Sequence, residues 1–369
     1  MIYLDNAATT KMLPEVFKSM KRYMEDPGNP SSAHSAGIIA KAAVEKAREQ
    51  VAELLNAYPD EIFFTSGATE GNNLAISCLS CCPVLYTSQA EHKSVLNAVR
   101  NYCEPRRTCE LAVTENGIPQ TILQDLSGAV SFMLRNNELG TWTSVDAIKK
   151  FWPAVQYVHT DATQAIGHGV VDVKQLNVDM LTLSGHKIGG PMGTGAIYIS
   201  RSFQSLVQPI IFGGGQERGV RSGTENVPGI VGLGAAAEWN RKHIDENIER
   251  DDAFRSVFLY ELDWGMHADY RVNPSSGNII SITVYGVNAE TLVKMMSVAG
   301  ACISSGSACN TGKTSHVLRA IGMPDEEIDS TIRISSGWNT TEKDAVEAAR
   351  ILIKCVDNWF GLWEVDKVR

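Results

Sequence analysis

The chain has 369 residues, 44% of them apolar, and a formal net charge of −9. That length suits one large domain or two domains around a substantial core. The acidic balance argues against a nucleic-acid scaffold with a broad basic face, and no run of about 18 apolar residues offers a membrane span.

The opening Met1-Ile-Tyr-Leu-Asp5 has neither the basic nor the apolar region of a signal peptide, so a cytoplasmic protein is expected. Eight cysteines in a chain this long are not a disulfide framework. Cys78 and Cys81 have a metal-ligand spacing, with Cys82 beside them, but no second such pair follows. Buried thiols at a helix edge are preferred to a metal site.

In chain order, Tyr3–Thr10 reads as an extended, polar-ended arm. Pro14–Met24 reads as an amphipathic helix, Asp26–His34 as a loop and Ala40–Leu55 as a strong helix. Glu61–Thr65 is a short strand, followed by Ser66-Gly-Ala-Thr-Glu-Gly-Asn-Asn73 and a helix. A strand, glycine turn and helix start can bind an anion through free N–H groups and the helix dipole. They can equally be an ordinary helix N-cap. The stretch matches neither G-x-G-x-x-G nor a Walker A sequence, so no nucleotide is implied.

Four more strand-like runs follow, each leading into polar residues. Pro83–Thr87 leads to His92, Gly128–Leu134 to Asn136-Asn-Glu138, Gln156–Thr160 to Asp161, and Asp179–Leu183 to Lys187. Gly195–Ser200 is a last strand without such a cluster. With helices between most of them, the pattern is α/β, a largely parallel sheet flanked by helices on both faces. Ligands bind beyond the carboxyl ends of such strands. Thr69, His92, Asn137, Asp161 and Lys187 are therefore expected along one edge.

Phe212–Asn226 is a long glycine-rich polar loop, a type that is usually functional. Val227–Arg250 is expected to be largely helical and to link two domains. After it come a strand at Asn278–Val284, a helix at Ala289–Val298, a strand at Ala301–Ser304 and a flexible loop at Ser305–Thr314. A helix at Ser315–Ile321, a strand at Thr331–Ser335 and a helix at Glu342–Asp357 complete a smaller α+β group. Residues 13–250 are thus expected to form a large domain, and residues 1–12 with 251–369 a small one.

Lys187 ends a buried strand among glycines. It is either a solvated loop lysine or a lysine with a chemical job, such as forming a Schiff base. An imine with an aldehyde cofactor needs a phosphate anchor, for which Thr69, Ser184 and His186 are available. It needs a carboxylate to keep a pyridine nitrogen protonated, for which Asp161 is placed, and a ring to stack on the cofactor, for which His92 is placed.

The chain resembles the cysteine desulfurases of the NifS/IscS type, within the class V aminotransferase family of fold-type-I enzymes. The resemblance is carried by Tyr3–Thr10, Thr65–Glu70, Glu91-His-Lys93, Asn136-Asn-Glu138, Asp161-Ala-Thr-Gln164 and Ser184-Gly-His-Lys187. It continues through Gly213–Arg218, Arg221-Ser-Gly-Thr224, Ser305-Gly-Ser-Ala-Cys309 and Ile332–Ser335. It implies pyridoxal 5′-phosphate bound as an imine to Lys187, with Asp161 on the pyridine nitrogen, Gln164 on the ring hydroxyl and His92 stacked on the ring. It implies Ala68, Thr69, Ser184 and His186 on the phosphate, and Thr224 on the phosphate of the other subunit of a homodimer. Asn137, close to the cofactor, and Arg333 would hold the carboxylate of L-cysteine.

Lys187 or His92 would take the α-proton, with the ring absorbing the electrons. Cys309, in the loop assigned to the small domain, would then attack the substrate sulfur, release alanine and carry a persulfide to an acceptor protein. Iron–sulfur assembly, tRNA thiolation and DNA phosphorothioation all remain open as destinations. The alternatives are a selenocysteine lyase or an aminotransferase on the same cofactor, or a non-catalytic partner protein. Gly337-Trp-Asn339 departs from the Gly-Arg-Phe usual after the Arg333 motif, and Thr143 stands where glutamine is common.

Overall fold

The computed structural model describes residues 1–120, 126–306 and 314–367, with the side chains of the last helix described up to Gly361. In chain order its strands are β1 (Ile2–Tyr3), β2 (Ile62–Thr65), β3 (Leu85–Ser88), β4 (Thr108–Leu111), β5 (Gly128–Ser131) and β6 (Val155–Asp161). They continue with β7 (Met180–Ser184), β8 (Gly195–Ile199), β9 (Tyr270–Val272), β10 (Ile279–Val284), β11 (Ala301–Cys302) and β12 (Thr331–Ser335).

Seven strands form the main sheet in the order β2-β8-β7-β6-β5-β3-β4. β4, β3, β5, β6 and β7 run parallel, while β8 is antiparallel to both β7 and β2. The one strand whose end carries no polar cluster is therefore the one that runs the other way.

Alternation buries both faces, because successive side chains on a strand point to opposite sides. Ile62, Phe64, Val130, Leu181 and Tyr198 pack on one face with Val44, Val51 and Leu233 from the helices Ser35–Leu55 and Val227–Lys242. Phe63, Ala129, Met180 and Ile197 pack on the other with Leu74, Ile76, Val95 and Val99 from the helices Ala68–Leu79 and Lys93–Tyr102.

A second body is built on the three-stranded antiparallel sheet β12-β10-β9. Ile280, Ile282, Ile332 and Ile334 are buried against Phe254, Phe258, Leu262 and Leu352 of the helices Ile244–Gly265 and Glu342–Lys367. The N-terminal arm joins it: β1 pairs with β11, and Leu4 lies in the same core.

Several expectations are corrected in extent. The expected helix at Val227–Arg250 is two helices, Val227–Lys242 and Ile244–Gly265, broken at His243 (φ −118°, ψ 20°). There the imidazole turns back to the Trp239 carbonyl and stacks on its indole. The helix expected from Ala40 begins at Ser35, capped by His34. The last helix runs on to Lys367. The strand expected at Ala301–Ser304 is two residues long, and β4 and β9 were not expected. No helix among the described residues is long and apolar enough to cross a membrane.

Candidate active site

The carboxyl end of β7 turns sharply. After buried Ser184 the chain enters a single 3₁₀ turn, Gly185–Lys187. A Cβ on Gly185 would sit 3.0 Å from the Pro191 carbonyl oxygen and 3.1 Å from that of Thr194, so glycine suits the close approach and a side chain would have to push backbone aside by a few tenths of an ångström. The N-terminal arm clamps this turn from above. The Thr10 hydroxyl donates to the His186 carbonyl at 2.8 Å and accepts from the Gly189 N–H at 2.7 Å. Lys187 Nζ donates to the carbonyls of Ala7 and Ala8, the second at 2.8 Å. Neutral oxygens of the arm thus hold the ammonium at the mouth of the sheet.

Asp161 ends β6, next to Lys187's strand. Its Oδ1 accepts from the Thr163 N–H at 3.0 Å and its Oδ2 from Asn72 Nδ2 at 2.7 Å. The same Asn72 nitrogen donates to Ser94 Oγ at 2.8 Å, and Ser94 Oγ lies 2.7 Å from His92 Nδ1. His92 caps the helix Lys93–Tyr102, its Nδ1 accepting the Ser94 N–H at 3.1 Å. Burial holds the His92 ring below its usual pKa; Asp161 opposes that, while Lys187, His316 and Lys93 reinforce it. Beneath, His159 is fully buried between Ser131 and Thr182, and burial keeps it neutral at physiological pH.

At one end of the cleft the helix Ala68–Leu79 presents its first turn, Ala68 and Thr69, beside Ser184 and His186. Burial first, then neighbouring Lys187, pushes the His186 imidazole down to about 4. It is therefore neutral at pH 7 and offers a hydrogen bond rather than a charge; its Nδ1 lies 3.2 Å from Thr9 Oγ1.

At the other end Arg333, buried on β12, donates to the Asn137 carbonyl at 2.9 Å and to Asp5 Oδ1 at 2.8 Å. Its Nε is buried with no partner among the described residues, as is Asn137 Oδ1. Gln164 is held to the Ala7 carbonyl at 2.8 Å.

The cleft these groups line has a volume of about 470 Å³. It brings together Ala68, Thr69, His92, Asn137, Asp161, Gln164, Ser184, His186, Lys187 and Arg333. Thr224 is not among the lining residues; it is exposed on the Phe212–Asn226 loop. Cys309, and most of the loop that carries it, lie outside the described residues.

The Phe212–Asn226 loop is pinned by ion pairs rather than left slack. Glu217 makes a two-pronged pair with Arg48 at 2.8 Å for each contact, both side chains buried, and accepts the Phe64 N–H at 2.9 Å. Arg221 pairs with Glu70 at 2.9 Å. The loop passes through left-handed backbone at Glu217 (φ 46°) and Arg218 (φ 56°), conformations that non-glycine residues keep only when their surroundings impose them.

Residue-by-residue reading of the sequence overlooked Thr10, Asn72, Ser94 and the Arg48–Glu217 pair. The available signal for Asn72 was weak: an asparagine in a helix interior has low intrinsic preference for that place. Cys78 and Cys82 are buried and Cys81 exposed; burial pushes the Cys82 thiol up to about 11, as suits a packing residue. Among the described residues no group of three or more His, Cys, Asp or Glu side chains could hold a metal.

The chain is similar to known proteins over nearly its whole length. A cysteine desulfurase from Trichormus azollae is 40% identical, over 96% of this chain and 93% of that one. The solved structure of a NifS-like protein superposes with a TM-score of 0.86 at 32% identity, covering 96% of this chain and 99% of that chain. SspA, solved in complex with cysteine, superposes at 0.77 and 33% identity, covering 91% and 98% of the two chains. The family model for Aminotransferase class-V matches residues 2–347, from the arm that clamps Lys187 to the helix beyond Arg333. The chain belongs to the class-V aminotransferases, a family dependent on pyridoxal 5′-phosphate.

Proposed function

We propose that the chain is a cysteine desulfurase that converts L-cysteine to L-alanine and carries the sulfur as a persulfide on Cys309. The observation that carries the reading is a single cleft lined by Lys187, Asp161, His92 and Arg333, in a chain 40% identical to a cysteine desulfurase.

The donor set fits the cofactor. Lys187 supplies the amine that would hold it covalently. Asp161, fixed by Asn72 and the Thr163 N–H, faces the cleft as the carboxylate for a pyridine nitrogen. Gln164 would reach the ring hydroxyl, and Ala68, Thr69, Ser184 and neutral His186 the phosphate. When bound, the cofactor supplies an electron sink beside the substrate's α-carbon.

The rest falls to the chain. Arg333, whose buried Nε is unpartnered among the described residues, orients the substrate carboxylate together with Asn137. His92, which lines the cleft, would lie against the cofactor ring and help to keep water from it. The Cys309 thiolate attacks the substrate sulfur: a sulfur–sulfur bond forms, the carbon–sulfur bond breaks with its electron pair left on the β-carbon, and that carbon takes up a proton, so that alanine departs. A free thiol ionises near pKa ~8.5, so part of it is thiolate at neutral pH. Thr224 would serve the phosphate site of a second copy, which makes the working unit a cytoplasmic homodimer. The acceptor is a protein, an iron–sulfur scaffold or a thiolation enzyme.

The test is direct. Purified protein given L-cysteine should release alanine equal to the sum of sulfide and protein persulfide, and Cys309→Ala should lose both persulfide and turnover. Cysteine left intact, or full turnover by Cys309→Ala, overturns the reading.

A further inference from the structure

The hydrogen bonds behind His92 have a determined direction. A carboxylate can only accept, so the Asn72 amide must turn its nitrogen to Asp161 Oδ2, and this nitrogen lies 2.7 Å away. The same nitrogen then donates to Ser94 Oγ at 2.8 Å. With its oxygen already accepting, the Ser94 hydroxyl has its proton free for the one partner left, His92 Nδ1 at 2.7 Å. The Ser94 N–H points at the same ring nitrogen from 3.1 Å. Two donors therefore converge on Nδ1, while Nε2 makes no hydrogen bond to any described residue. The arrangement is kept at a cost, because Asn72 Oδ1 is buried without a partner among the described residues.

We propose that Asn72 and Ser94 are positioning residues that fix His92 in the tautomer carrying its proton on Nε2, so that His92 meets the bound substrate as a donor and not as a base. A neutral ring whose Nδ1 lone pair is engaged and whose Nε2 bears hydrogen has no lone pair to offer the cleft. Proton removal from the substrate's α-carbon is left to the Lys187 amine, which shares the cleft. The groups that bear on the ring's charge are Asp161 from β6, Lys187 from the turn after β7, His316 from the helix His316–Ala320, and neighbouring Lys93. A hydroxyl donating to Nδ1 favours the neutral ring, so its loss moves the imidazole pKa upward. The proposal rests on the desulfurase reading only for the identity of the substrate.

The experiment reads the ring itself. Cofactor-loaded protein labelled with ¹⁵N-histidine, without amino acid, is examined by long-range ¹H–¹⁵N correlation, with His92→Gln assigning the His92 signals. The expected wild-type pattern has hydrogen on Nε2. Ser94→Ala should raise the His92 pKa and admit the other tautomer, Asn72→Ala should do so more weakly, and Ser94→Thr should restore the wild-type pattern. With cysteine, Ser94→Ala should lower kcat by roughly tenfold and leave KM within about twofold, the signature of a transition-state contact. Hydrogen on Nδ1 in the wild type overturns the proposal, and so does a Ser94→Ala protein whose His92 signals and pKa are unchanged. Because no substrate is present in the spectra, a failure of the desulfurase reading would leave the tautomer result standing, and the reverse also holds.

Discussion

The cleft floor and the Phe212–Asn226 loop both bury charged side chains, and they solve that problem in opposite ways. The loop answers charge with charge: Glu217 meets Arg48, and Glu70 meets Arg221. Part of the floor answers charge with neutral dipoles, although Arg333 at the far end of the cleft pairs with Asp5. Asp161 rests on an amide and a backbone N–H, and Lys187 on backbone carbonyls. A charge whose every polar atom is taken up by partners, as on Arg48, is chemically spent. A charge solvated by fixed dipoles is held in place but still available to a ligand, the arrangement that makes preorganised sites effective. Asp161 is thus distinguished from the Arg48–Glu217 pair by the partners its charge is given.

The contrast can be broken experimentally, beginning where the effect should be greatest. Lys187→Ala should cut alanine formation by about 10²–10⁴-fold and remove the visible band of the cofactor-bound protein, with little change in thermal stability. A large loss of stability would mean that the lysine belongs to the scaffold. Arg48→Ala should do the reverse. It strands a buried carboxylate, and urea unfolding should show a loss of about 3–5 kcal/mol. Replacing Arg48 with Met and Glu217 with Leu together should recover most of it.

Glu91 sharpens the comparison, because it is a buried carboxylate of the site side without a cationic partner among the described residues. Burial above all raises its pKa from the ordinary 4.5 to about 8, with Asp161 adding to the rise. The folded protein therefore holds this proton more tightly than the unfolded chain. Its contribution to stability is complete below about pH 4.5 and is lost as pH rises through about 8. Against a Glu91→Gln reference, wild-type stability should fall with a slope approaching about 1.4 kcal/mol per pH unit across that window. Parallel curves for the two proteins would refute it. Thr10→Val should have the smallest effect. It leaves the Gly189 N–H without its acceptor, at about 1–3 kcal/mol, and should loosen the Lys187 turn enough to lower kcat a few-fold.

What the sequence shows of this molecule follows the range over which its causes act. The alternation of strands and helices is local, and so are the polar residues at strand ends; parallel strands carry those ends to one edge, which is why Thr69, His92, Asn137, Asp161 and Lys187 line one cleft. The pairings that fix them are remote. Asn72 reaches Asp161 across 89 positions, and Arg48 reaches Glu217 across 169. No local pattern marks either asparagine or arginine as special. β4 and β9 escaped for a different reason: each is only three or four residues long and half-exposed, so its period-two signal is faint. The break at His243 was hidden because neither glycine nor proline marks it; a ring stacked on Trp239 and bonded to its carbonyl does the work.

The arm that clamps Lys187 also has a consequence for how the protein is made. Asp5 bonds to Arg333, 328 positions later, and the Ala7 N–H to Ser335 Oγ across a similar span. Residues 2–10 therefore leave the ribosome long before β12 exists to receive them. The arm can take its full seat only after β12 has been synthesised, so a nascent chain stalled before it carries Lys187 and the arm without the arginine and serine that fix the arm's far side.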